Sequence, residues 1–190
     1  MNPRQQGFTL IEIIVVVFII GMAVGVISIS VGGNAVADQA RKEAEEFMMR
    51  TTYVAEQSVL KGETYGLFAE LRPAQDIDAE EQWCYTWRRV RDRAWQDLPE
   101  LAQHCIAEGL AIEFTIDEEL WEYDPELEFQ NPVIFFTPGG DASSETEIEI
   151  FASQTATSDE VETQKFKLDV TGEIHWVNEE ERIEAERKGL

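Results

Sequence analysis

Few residues in this chain have chemistry to offer: His104 and His175, Cys84 and Cys105, and one carboxylate, Glu12, set inside an apolar run. The two histidines are far apart, and neither has flanking ligands at metal-binding spacing. His175 alternates with Ile174 and Trp176, which suits an exposed strand position. No nucleophile elbow, phosphate loop, H-E-x-x-H pair or dinucleotide glycine pattern occurs. The acidic groups at Asp76–Glu81, Asp117–Glu126 and Glu179–Glu186 lack the alternating loop with a central glycine that calcium needs, so they read as solvated. Cys84 and Cys105 allow two readings. A bridge between them would suit an exported domain and contribute ~3 kcal/mol. Otherwise Cys84 is a core strand residue and Cys105 lies apart in a loop or short helix. No partnered histidine supports a cysteine nucleophile. The expectation is a non-enzyme without cofactor or metal.

Glu12 poses the sharper question. It stands two residues into the run Leu10–Val31, 22 residues long. A carboxylate at the centre of a hydrocarbon layer costs roughly 2.5–3.5 kcal/mol on insertion scales. The run is longer than the about 7–15 residues of a signal-peptide core and suits a helix crossing ~30 Å of hydrocarbon. Ala35-Val36-Ala37 still offers a signal-type cleavage site, and its use would release a free periplasmic binding module beginning at Asp38.

The elements that must position these residues follow from composition and period. The net charge is −23, from 38 acidic against 15 basic residues, which repels nucleic acid and anionic lipid heads alike. An apolar fraction of 44% is too high for a disordered acidic chain. From Asn34 to Lys61, small and apolar residues recur at Ala37, Ala40, Ala44, Phe47/Met48, Thr51, Val54/Ala55 and Ser58/Val59, a helical stripe. Arg41, Lys42, Glu43, Glu45, Glu46, Arg50 and Glu56 would then face water. No proline interrupts the chain between Pro3 and Pro73, so one helix is expected from about Phe8 to Lys61, with Gly62 as its C-cap.

The remainder reads as β-rich. Strands are expected at Thr64–Leu71, Trp83–Val90, Leu110–Ile116, Pro132–Thr137, Thr146–Ala152, Thr163–Val170 and Glu173–Val177, with turns at Thr137-Pro138-Gly139-Gly140-Asp141 and Val170-Thr171-Gly172. About seven strands make a small antiparallel sandwich or pair of sheets, with the helical stripe along one side. Asn178–Leu190 is charged throughout and reads as a frayed helix or a flexible tail. Trp95, Trp121 and Phe129 fall in irregular insertions, where they either contact partners or fold back over the sheet.

"GFTLIE" ahead of an apolar helix resembles the processing signature of type IV pilins and type II secretion pseudopilins. The resemblance implies a leader, Met1–Gly7, removed by a prepilin peptidase between Gly7 and Phe8, with Phe8 then N-methylated. It places Glu12 at the family's fifth mature position. There the carboxylate would meet the N-terminal amine of a neighbouring subunit, because pairing two buried charges recovers much of the cost of leaving either alone. A bare acid snorkelling to the interface is the plainer alternative.

"PVIFFTPGGDASSETEIEIF", "EGLAIEF" and the closing hairpin "KFKLDVTGEIHW" resemble the H-type minor pseudopilins (GspH), loosely over 72–108 and 117–131. The expected fold class is α+β and pilin-like: a long N-terminal helix, transmembrane in its first half, packed on a β-rich antiparallel periplasmic domain. The expected divisions are leader 1–7, membrane part of the helix 8–31, amphipathic part 32–62, β-rich domain 63–178 and charged tail 179–190. The resemblance implies an inner-membrane protein, single-pass with its N-terminus cytoplasmic. It would act at the tip–shaft junction of a pseudopilus that exports folded proteins across the outer membrane. Implied partners are other minor pseudopilins, the major pseudopilin, the prepilin peptidase, the assembly platform and secreted substrates. Alternatives are a minor type IV pilus subunit (FimT/FimU-like) and a membrane-tethered periplasmic enzyme.

Overall fold

The computed structural model describes residues 10–73, 81–153 and 161–189; between residues 10 and 35 it describes the helical backbone, with Phe18 the one side chain placed. In chain order the elements are α1 (Leu10–Lys61), β1 (Tyr65–Arg72), β2 (Gln82–Arg91), β3 (Ala94–Asp97), β4 (His104–Cys105), β5 (Leu110–Ile116), β6 (Glu119–Leu120), β7 (Ile134–Phe136), β8 (Thr146–Ala152), β9 (Gln164–Leu168), β10 (Ile174–Trp176) and α2 (Val177–Lys188). The architecture is α+β. A single N-terminal helix lies over two antiparallel sheets.

The helix α1 is continuous because nothing within it removes a backbone donor, and it stops at Gly62, whose φ of +63° is the left-handed turn that ends helices. Ala40, Ala44, Phe47, Thr51, Val54 and Ser58 are all fully buried, following the three- and four-residue steps of its stripe. Met48 and Ala55 pack more loosely at its edge, and Val59 is exposed. Among the described residues, no helix is long and apolar enough to cross a membrane. The side chains of the run expected to do so, at 8–31, lie outside the described residues apart from Phe18, which is exposed.

The first sheet runs β3-β2-β1-β7, and β4 joins β2 beyond the end of β3. The second runs β10-β9-β8-β5-β6. In β8 and β9, period-two alternation sends Ile148, Ile150, Phe166 and Leu168 inward. It sends Glu147 and Glu149 outward, directly opposite Lys167 and Lys165, with which they form ion pairs at 2.8 and 2.6 Å. Phe47 joins all three layers: its ring meets Tyr85 of the first sheet at 5.5 Å and Phe166 of the second at 5.4 Å. The turns at Thr137–Asp141 and Asp169–Gly172 touch, and Gly172 sits at φ +84° where an added Cβ would lie 2.0 Å from the Gly140 carbonyl oxygen. Only glycine fits there.

Several expectations need correction. Ten strands form among the described residues rather than about seven, because β3, β4 and β6 were not anticipated. Two of these close hairpins whose turn residues, Asp92-Arg93 and Asp117-Glu118, all adopt positive φ without a glycine to announce it. Pro132–Thr137 shortens to Ile134–Phe136, since Thr137 already bonds Asp141 in the following turn. Of the two readings of the charged C-terminus the structure has the helix, from Val177 to Lys188, held to α1 by Arg41, which bonds Glu179 at 2.9 Å and stacks over Trp176. Glu43, expected in water, is buried.

Candidate functional site

Gly7 and Phe8, the expected cleavage and methylation positions, lie outside the described residues. Glu12 lies in the first turn of α1 as described, with its side chain outside the description. From there α1 runs unbroken into the globule, so any force on its N-terminal half reaches the core through the contacts that seat its second half.

Those contacts are partly polar. Glu43, 8% exposed, accepts a hydrogen bond from the Ala107 backbone N–H at 3.2 Å and pairs with His104 Nε2 at 2.6 Å. Its position explains its burial: it follows Ala40 by three residues and precedes Phe47 by four, so helical spacing puts it on the packed face. Two turns later Arg50 bonds Glu46 at 2.6 Å and the Ala102 carbonyl at 2.8 Å. Both contacts clasp the segment leading into and out of β4 onto the helix. The disulfide Cys84–Cys105 ties the same segment to β2, where the two cysteines are directly opposite and Tyr85 faces His104. Burial pushes the Tyr85 phenol well above its usual range, against the opposing pull of nearby Arg50. Sequence reasoning missed this clasp; the spacing of Glu43 from Ala40 and Phe47 was the available signal.

The other potential ligands are engaged elsewhere. Asp169, Glu173 and His175 bring their ligand atoms within 4.8 Å of one another. The Asp169 carboxylate accepts from the Thr171 hydroxyl and from the Thr171 and Glu173 amides, and these bonds, the hydroxyl first, hold it below the usual carboxylate range. His175 Nδ1 faces Glu180 of α2 at 2.9 Å, which raises the imidazole above its ordinary value. The cluster is thus a capped turn fastened to a helix. Both cysteines are bridged to each other, and each histidine faces a carboxylate, His104 that of Glu43 and His175 that of Glu180. Of the three aromatics expected in irregular insertions, Trp121 packs on Phe114 and Trp83, Trp95 lies in β3 and packs on Phe68, and Phe129 is 81% exposed.

Residues 2–28 match the family described as the prokaryotic N-terminal methylation motif. The chain is 27% identical over 151 residues to type II secretion system protein H of Aeromonas hydrophila, spanning 74% of this chain and 78% of that one. It is 25% identical over 126 residues to protein H of Vibrio cholerae, covering 64% of this chain and 60% of that one. Two solved structures of the minor pseudopilin EpsH of Vibrio cholerae superpose with TM-scores of 0.52 and 0.53 at 19% and 20% identity, over 73% and 74% of this chain and 94% and 97% of theirs. At that identity the superposition speaks for the fold alone. With a methylation motif at its start, sequence similarity to type II secretion protein H and a fold that superposes on EpsH, the chain is similar to the H-type minor pseudopilins.

Proposed function

We propose that this chain is a minor pseudopilin of a type II protein secretion system, a structural subunit that enters a pseudopilus and helps drive folded proteins across the outer membrane. The observation that carries the reading is the joining of a methylation motif over residues 2–28 to a helix that continues to Lys61 and into a globule with the EpsH fold. In this reading the apolar run of α1 anchors the chain in the inner membrane and the β-rich domain lies in the periplasm. A peptidase removes Met1–Gly7, and Phe8 becomes the methylated N-terminus. The disulfide and the strongly acidic surface suit an exported domain.

Glu12 then acts at assembly. Alone in the membrane its carboxylate snorkels or protonates; beside a neighbour it pairs with that subunit's N-terminal amine and sets the register. The partners are the major pseudopilin, other minor pseudopilins and the assembly platform, and the subunit itself performs no catalysis. The test is Glu12→Leu, expressed at the wild-type level. Insertion and leader removal should persist, while crosslinking to neighbouring pseudopilins and secretion should both fall. Unchanged crosslinking with unchanged secretion would reduce Glu12 to a snorkelling acid.

A further inference from the structure

An open groove of about 400 Å³ lies where the two sheets meet beside β5. Its walls are Leu71 and Trp83 from the first sheet, the edge of β5, Phe151, and Trp121 and Tyr123 from the segment after β6. Trp83, Trp121 and Tyr123 form a triangle with ring centroids 6.1 to 6.4 Å apart, and Trp121 stands edge-on to Phe114 at 5.9 Å. These rings are half-buried, supported from behind and open in front.

The strand edge along the groove is incomplete. One side of β5 is paired by β8 from Leu110 to Ile116. On its other side β6 reaches only Thr115 and Ile116, and the Trp121 N–H adds one bond to the Phe114 carbonyl. Alternate residues of a strand turn their backbone groups to the same side, so the N–H and C=O of Ile112 point the way the Phe114 carbonyl does. No described strand meets them. Side chains alternate likewise: Ile112 and Phe114 face the apolar interior, while Glu113 is exposed on the opposite face.

Charge supplies the remaining constraint. No Lys or Arg occurs between Arg93 and Lys165, whereas Glu113 and Glu122 line the groove and Asp117, Glu118, Glu119, Asp124 and Glu126 follow around it in sequence. Neither Glu113 nor Glu122 has an ion-pair partner among the described residues. A second copy of so acidic a chain is a poor occupant, and a cationic one a good one.

We propose that this groove docks an extended segment of a partner protein in which apolar residues alternate with Lys or Arg. The segment adds as a strand to the open edge of β5 at Ile112. Its apolar side chains enter the pocket of Trp83, Trp121 and Tyr123, and its cations meet Glu113 and Glu122. The surface stands on its own geometry, whether or not the assembly role holds.

The test uses the full chain in detergent micelles with 15N-labelled tryptophan, whose five indoles report position. The probes are three synthetic peptides: Ac-VKVKVKV-NH2, the same peptide with Glu for Lys, and the Lys peptide N-methylated at alternate amides. The Lys peptide should bind saturably and shift the indole signals of Trp83 and Trp121 while leaving Trp87, Trp95 and Trp176 in place. The Glu peptide, the N-methylated peptide and the Glu113→Lys/Glu122→Lys variant should each bind at least about tenfold more weakly, equivalent to ~1.4 kcal/mol. Equal binding of the N-methylated peptide, shifts spread over all five indoles, or no saturable binding would overturn the proposal. So would movement of the same two indoles with protein concentration alone, which would make a second copy the occupant.

Discussion

Replacing Glu43 by leucine removes the acceptor for two donors at once, His104 Nε2 at 2.6 Å and the Ala107 N–H at 3.2 Å. Hydrogen bonds to a charged group contribute ~1.5–3 kcal/mol each, so the pair amounts to roughly 3–6 kcal/mol. Leucine recovers about 1–2 kcal/mol through its own apolar burial. His104 keeps some contact with water, its side chain being 22% exposed, which favours the low end of that range. The expected net loss is about 2 kcal/mol, a shift in urea midpoint on the order of 1 M at the m-value of a small domain. The assay is equilibrium unfolding of a fragment from residue 35 onward. It should fold without the apolar run, because burial among the described residues begins at Ala40. Glu43→Gln keeps an acceptor for Ala107 and should lose about half as much. A double-mutant cycle with His104→Ala should return a coupling of at least ~1 kcal/mol, since the two side chains touch. A leucine variant within ~0.3 kcal/mol of wild type, or a coupling near zero, would refute a stabilising clasp; ΔΔG values of distant sites add within about that margin.

Opening the Cys84–Cys105 bridge should cost ~3 kcal/mol by loop closure and expose Tyr85 of β2 to quenchers before global unfolding; a reduced domain as stable as the oxidised one would contradict this. The His175 imidazole is raised above its ordinary 6.5, chiefly by its bond to Glu180 with Glu173 and Asp169 adding, while slight burial opposes. A raised folded-state value stabilises the protonated form, so the clasp between β10 and α2 is complete below 6.5 and weakens as pH rises through the raised value. Hydrogen exchange in α2, corrected for intrinsic rate, should therefore speed up above that point in the wild type and lose this pH dependence in His175→Gln. Identical profiles would remove His175 from the account.

What the sequence discloses and conceals here has physical causes. Leu110–Ile116 and Thr146–Ala152 are readable to the residue, because one face of each is buried and the other wet, and period-two alternation records that directly. The buried stripe of α1 is readable for the same reason at helical period. Glu43 is not, because residue type argues for water while spacing argues for the core, and the partner that resolves the conflict, His104, lies 61 positions away. The hairpins at Asp92-Arg93 and Asp117-Glu118 stay hidden because their positive-φ residues are not the usual Asn or Gly. The pairing of Cys84 with Cys105 depends on β4, a two-residue strand with no pattern of its own, so the sequence left it open. The assembly motif is the reverse case. It is legible as "GFTLIE" at the level of residues, and its action belongs to neighbours a single chain does not contain.

The most direct test of the account is the mass and sequence of the mature N-terminus of the chain recovered from membranes of its own host. The account predicts a chain that begins at N-methylated Phe8, lacking Met1–Gly7, and that appears only when the prepilin peptidase is active. A chain that retains Met1, or one that begins at Asp38 as a free module, would contradict it.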